Sequence, residues 1–239
     1  MKEILSAKAG EKRKPRGYAA RRGFLTLFVL VMLLGLLPGP DAHAASAKKK
    51  AMKAYASFLA KHPPRTFRNY GDAAFSAEDK SYVNSYFLYD MDKNGVPELF
   101  TYTNVNARWY IVRVYTYRNK KVTLCKFADG CDAEFDNNAS ANGGYSFFIC
   151  KQGHIHNSYS GGMEANEFIY KGAKNGTLKN CLRYREIRFS YPYAVTAWKG
   201  SKEIAEQKYR SYTKKCTVRR MTSYKNNKKN RNALKKGKA

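Results

Sequence analysis

The sequence predicts an α+β fold, in which one N-terminal helix packs on an antiparallel β-meander and one or two short helices close the chain. Three observations predict it. Apolar residues recur at helical spacing over residues 48–61. From Tyr82 onward, short runs rich in Tyr, Phe, Val and Ile alternate with Gly and Asn turns. The connections between those runs are too short for the crossovers that parallel strands need.

The elements come in order. Residues 48–61 read as a helix, because Met52, Tyr55 and Leu59 fall on one face and Pro63-Pro64 stops it. The strand candidates are residues 83–89, 99–103, 109–117, 122–127, 145–150, 154–159, 168–170 and 181–189. Gln152-Gly153 and Asn175-Gly176 mark tight turns, the second a strong hairpin dipeptide. Such a meander closes as an open sandwich or half-barrel. After Lys199-Gly200, Ser201 is placed to cap a second helix with Ala205, Tyr209 and Tyr212 on one face. Residues 217–224 offer a last strand, and residues 229–236 a short terminal helix or a solvated tail.

The N-terminal segment has a different character. Eight Lys and Arg residues crowd the first 22 positions, and residues 24–37 then run without a charge. Pro38, Gly39 and Pro40 break the run, and Ala42-His43-Ala44 provides a small-x-small cut site. These are the three parts of a secretion signal. A membrane span needs about 20 apolar residues, more than this run supplies. Arg21-Arg22-Gly23-Phe24-Leu25 resembles a twin-arginine export motif, but the Leu-rich middle is more hydrophobic than that route favours, which points to an ordinary basic head. The expected organisation is a signal peptide at 1–44, a secreted α+β domain at 45–213 and a basic C-terminal strand, helix or tail at 214–239.

The chain carries 45 Lys and Arg against 18 Asp and Glu, a net +27. Residues 45–239 keep 37 of the basic and 15 of the acidic residues, a net +22. Such a surface attracts polyanions. For an exported chain the expected partners are anionic cell-wall polymers or glycans, with no specific nucleic acid. The five cysteines, Cys125, Cys131, Cys150, Cys181 and Cys216, all come after the signal. Export permits disulfides, but spacing does not assign pairs, and buried free thiols fit as well. No C-x-x-C pair is present to suggest structural zinc.

Residues 90–98, Asp-Met-Asp-Lys-Asn-Gly-Val-Pro-Glu, form the segment richest in chemistry. Calcium takes about six to eight oxygens at roughly 2.3–2.6 Å. Asp90, Asp92 and Asn94 occupy loop positions one, three and five, where short oxygen-bearing side chains converge. Gly95 permits the sharp turn after them, Val96 offers a carbonyl, and Glu98 binds directly or through water. An EF-hand would need a Glu where Thr101 stands, and the flanks read as strands. The alternative is a polar hairpin turn, since Asp, Asn and Gly suit turns for their own reasons.

The loop resembles the calcium loops of FG-GAP and VCBS-type β-repeats. Together with Tyr224, Asn226, Asn230, Arg231 and Leu234, it also resembles a group of small secreted proteins of Gram-positive bacteria. These carry a helix, then a strand ending in Asp-x-Asp-x-(Asp/Asn)-Gly-x-Pro-Glu-Leu, then a β-meander. The resemblance implies location and architecture, with Asp90, Asp92, Asn94, Val96 and Glu98 as Ca2+ ligands and a structural role for the ion. It implies no reaction.

Other constellations are weaker. His154 and His156 sit two apart on one strand, which could begin a zinc or copper site or be two ordinary surface histidines. Asp129, Asp132, Glu134 and Asp136 form a second acidic group within what reads as a long Asn-rich loop. No nucleophile elbow, H-E-x-x-H helix or P-loop occurs. The function expected is therefore a secreted surface or wall-associated binding or structural protein. The alternative is a hydrolase of wall or host glycans that uses the carboxylates of residues 129–136.

Overall fold

The computed structural model describes residues 40–65, 81–105, 109–140, 143–173, 176–189, 192–214 and 216–238. The basic head, the apolar run and Asn175 of the expected turn lie outside these residues. Ala44–Ala239 forms a compact unit that holds every described strand and the candidate site. No described helix is long and apolar enough to cross a membrane.

Helix α1 spans Pro40–Lys61 and starts earlier than its periodicity suggests. Its buried stripe is Ala51, Met52, Tyr55, Ala56 and Leu59. These residues recur at three and four, so they share one face and dock together. Thirteen strands are found among the described residues. They are β1 (Ser85–Tyr89), β2 (Glu98–Asn104), β3 (Trp109–Arg118), β4 (Lys121–Leu124), β5 (Lys126–Phe127), β6 (Glu134–Ser140), β7 (Gly143–Ile149), β8 (Ile155–Gly161), β9 (Glu164–Ala173), β10 (Thr177–Ile187), β11 (Ala194–Lys199), β12 (Lys202–Ile204) and β13 (Tyr224–Lys225). Helix α2 covers Glu206–Thr213, and α3 covers Lys228–Lys235.

The main sheet runs β12-β11-β10-β9-β8-β7-β6-β3-β2-β1-β13, and every neighbouring pair on this path is antiparallel. Two further pairings close it. β4 pairs with β3, and β5, directly after β4, pairs in parallel with the start of β10. The circuit β3-β6-β7-β8-β9-β10-β5-β4 therefore returns to its origin, which makes the meander a small barrel. The half-barrel expectation gains its missing seam here.

The barrel interior is apolar, with Phe87, Phe100, Val112, Val114, Phe135, Phe147, Ile149, Ile155 and Leu178 in one cluster. Alternate residues of the same strands face outward. Tyr86, Leu99 and Tyr115 pack there against Met52, Tyr55 and Leu59 of α1 and Leu234 of α3. This is the period-two alternation of a sheet covered on both faces. Arg113, 1% exposed, points outward from β3, pairs with Glu134 at 3.0 Å and donates to Thr103 Oγ1. Burying a guanidinium is tolerable only with such partners.

At β10 the free edge is shared. Thr177 and Leu178 pair with β5, a bulge comes between Asn180 and Leu182, and residues 182–187 pair with β11. The bulge turns the far half of β9 and β10 into an arm that leaves the barrel with β11, β12 and α2.

Three expectations need correction. Residues 134–140 are the strand β6, not a loop. Phe135 is buried in the barrel, and β3 and β7 pair with β6 on either side, which outweighs its poor strand composition. Ser201 caps no helix. It lies in the β11–β12 turn after Gly200 (φ 60°), and α2 begins only at Glu206, which leaves Tyr209 buried and Tyr212 36% exposed. Residues 217–224 are not a continuous strand. Val218 makes a single bridge to Cys150, and β13 has two residues.

The C-terminal segment is tied down. Asn226 is buried, with Nδ2 2.7–3.0 Å from the carbonyls of Leu59, His62 and Val83. Its Oδ1 accepts from Arg231. Tyr86 Oη donates to the Asn230 carbonyl. Asn227 caps α3 by accepting from Asn230 N–H. Cys150 and Cys216 form a disulfide, while Cys125, Cys131 and Cys181 are free thiols.

Candidate metal centre

The loop between β1 and β2 is held by side chains on both flanks. Met91 is buried in the barrel cluster and touches β9 where it has no side chain, since a Cβ on Gly172 would lie 2.8 Å from Met91 Cβ. Tyr55 Oη of α1 donates to the Pro97 carbonyl at 3.0 Å. Between these anchors the backbone turns through two left-handed residues, Lys93 (φ 57°) and Gly95 (φ 84°). Glycine takes that conformation without strain. A Cβ at Gly95 would also press on Ala44 Cβ at 3.2 Å.

The turn gathers acids. One carboxylate oxygen from each of Asp90, Asp92 and Glu98 lies within 4.8 Å of the others, and this is the one such group of metal-ligating side chains among the described residues. Glu98 is 6% exposed and accepts from Met91 N–H at 2.9 Å. Burial, with the Asp92 and Asp90 charges adding to it, pushes its carboxyl up to about 7 from an ordinary 4.5. Among the described residues no basic side chain pairs with it. Burial, and then the Glu98 and Asp92 carboxylates, also push the Cys125 thiol far above its usual range.

The other expected ligands have partial roles. Asp90 accepts from the N–H groups of Asn94 (3.1 Å) and Gly95 (2.9 Å). Asn94 Nδ2 donates to Asp92 Oδ2, and Asn94 Oδ1 accepts from Val96 N–H at 2.7 Å. Three of the five expected ligands thus present converging side-chain oxygens. Asn94 joins through Asp92, and Val96 takes part through its backbone N–H, which donates to Asn94 Oδ1. Like charges held this close in a partly dry site repel, and a divalent cation relieves that repulsion. All the available donors are oxygens, the set that suits a hard ion.

Several of the remaining candidates are occupied otherwise. Asp129 Oδ1 accepts from Cys131 N–H within its own turn. Glu134 is committed to Arg113, and the Asp136 side chain lies outside the described residues. His156 stacks on Phe148 at 4.4 Å, with Nε2 3.6 Å from Glu167. His154, just before β8, is half-buried, and burial lowers its pKa. Nothing in the sequence pointed to the set around Glu167, which accepts from Tyr209 and Arg210 of α2. The Arg113–Glu134 pair was equally unforeseen, although an arginine within an otherwise apolar strand was its signal. Neither a scan of protein-family models nor searches of curated proteins and of solved structures find a match to this chain.

Proposed function

We propose that the chain is an exported, non-enzymatic surface or wall-associated domain, stabilised by Ca2+ in the 90–98 loop and attracted to anionic polymers. The observation that carries this reading is the convergence of the Asp90, Asp92 and Glu98 oxygens, with Glu98 buried and no basic partner beside it among the described residues. Asp90, Asp92 and Glu98 would hold the ion, and Asn94 and the Val96 backbone would complete its shell. The ion would brace the hairpin that opens the sheet. The basic head, apolar run and small-residue site support export. The net charge after residue 44 supports attraction to polyanions.

The test is thermal unfolding with Ca2+, with Mg2+ and with chelator. An extracellular-type affinity of order 10⁻⁴–10⁻³ M is expected. At tenfold excess over that constant, Ca2+ adds about 1.4 kcal/mol and raises the midpoint. Asp90→Ala abolishes the response. A wild-type midpoint that ignores both calcium and chelator removes the metal from the account. A glycan hydrolase built on residues 129–136 gains no observation in its favour, because Glu134 serves Arg113 and Asp129 serves its own turn.

A further inference from the structure

Beside the barrel seam lies a groove of about 500 Å³, whose lining includes Thr116, Arg118, Lys121, Thr123, Lys126 and Thr177. One wall is the β3–β4 hairpin. Thr116 pairs with Thr123 and Arg118 with Lys121, so all four share a face. The other wall is the parallel seam, where Lys126 of β5 pairs with Thr177 of β10. The floor is stiff, since Gly176 lies in a turn at φ 69° and its carbonyl accepts from Lys126 N–H at 3.0 Å. A Cβ on Gly176 would meet Thr116 Cγ2 at 2.7 Å.

The charge here is one-sided. Arg118, Lys121 and Lys126 are exposed, make no ion pair among the described residues, and no described acid lines the groove. Asp132 faces Lys126 across a β-bridge but is not part of the lining. Like charges directly opposite in a hairpin are destabilising. Arg118 and Lys121 stand so, flanking a tight turn, and an anion between them removes the cost. The three threonines and Asn119 add neutral donors, which suit the several oxygens of a phosphate.

We propose that this groove binds phosphate groups of a linear, phosphate-linked polyol or sugar polymer. The inference rests on the polyanion reading above and gives it a place. Among the described residues no aromatic side chain lines the groove. A single-stranded nucleic acid would find no platform on which to stack its bases. A polymer with polar spacers between its phosphates needs none.

The probe is fluorescently labelled poly(glycerol phosphate), its anisotropy titrated with the full chain at fixed salt, in chelator so that the 90–98 loop plays no part. R118Q/K121Q/K126Q weakens binding by about tenfold or more, the loss expected for charge-assisted contacts. K228Q/K229Q/K235Q removes three equally exposed cations from α3 and changes affinity by less than about threefold, as diffuse charge does. Because the groove residues are exposed and two of them repel, the triple variant keeps the wild-type melting midpoint or exceeds it. Equal losses in the two variants would overturn the groove while leaving the polyanion reading intact. Tighter binding of an oligothymidylate of equal charge would overturn the ligand class. If the wild type fails to bind poly(glycerol phosphate) at low salt, both fall together.

Discussion

The barrel and the arm share two strands, β9 and β10, yet they are held by different forces. The barrel has apolar packing on both faces of its wall, with Phe100 and Tyr55 fully buried on opposite sides. The arm has a core of Tyr184, Ala197 and Tyr209. Around it lies a half-exposed set in which Glu167 accepts from Tyr209 and Arg210, and the Arg210 guanidinium sits 4.2 Å from the Tyr184 ring centroid. Arg183 lies over Trp198 at 3.9 Å on the other face. Apolar burial scales with area and ignores salt, whereas exposed ion pairs contribute little and are screened. The arm is therefore the region that opens first.

Phe100→Ala is the severest test of that contrast. Phe100 stacks on Phe87 at 4.5 Å inside the barrel. The substitution costs about 3–5 kcal/mol in denaturant unfolding. A cost below about 1 kcal/mol would mean that the barrel interior is not where stability resides.

Glu98→Gln sharpens the comparison, because a buried carboxyl belongs to the barrel side. In calcium-free buffer the folded state holds the Glu98 proton up to about pH 7, while the unfolded chain releases it near 4.5. Its neutral form is thus favoured on folding. Stability is fully present below about pH 4.5 and declines by about 3 kcal/mol as pH rises through 7. The Gln variant lacks this decline and is the more stable protein at pH 8 without calcium. On the proposed calcium reading it also loses the response to that ion. A wild type whose stability is flat from pH 4.5 to 8 once other titrations are matched would contradict the burial argument.

Arg210→Gln carries the smallest expected effect. It removes an exposed partner of Glu167 and Glu206, at less than about 1 kcal/mol of global stability. Amide exchange in β11, β12 and α2 quickens while β3 and β7 are unchanged. Uniform acceleration across both regions would show that the arm is not a separate cooperative unit.

Legibility in the sequence tracked distance along the chain. The helix was readable because Met52, Tyr55 and Leu59 lie within about two turns and Pro63-Pro64 stands beside them. The acid loop was readable because Asp90, Asp92 and Glu98 fall within nine residues, so local geometry alone brings them together. β6 was hidden, since only Phe135 among its residues signals burial, and its place depends on β3 and β7. The barrel seam was also hidden. It depends on Lys126 and Phe127 meeting Thr177 and Leu178, a pairing no periodicity encodes. The cationic groove inherits that difficulty, with its two walls drawn from separate hairpins.

Asn226 has one more consequence. Its amide satisfies backbone carbonyls at the end of α1 and at Val83, across sequence separations of 167 to 143 residues. Polar atoms sealed away from water need partners. The first helix therefore cannot settle until residues near the C-terminus arrive, and a chain still emerging from a ribosome must wait with its first apolar stripe uncovered. Long-range closure of this kind slows folding. Shortening the chain past Tyr224 would leave α1 without its latch, so the two ends of the domain stand or fall as one cooperative unit.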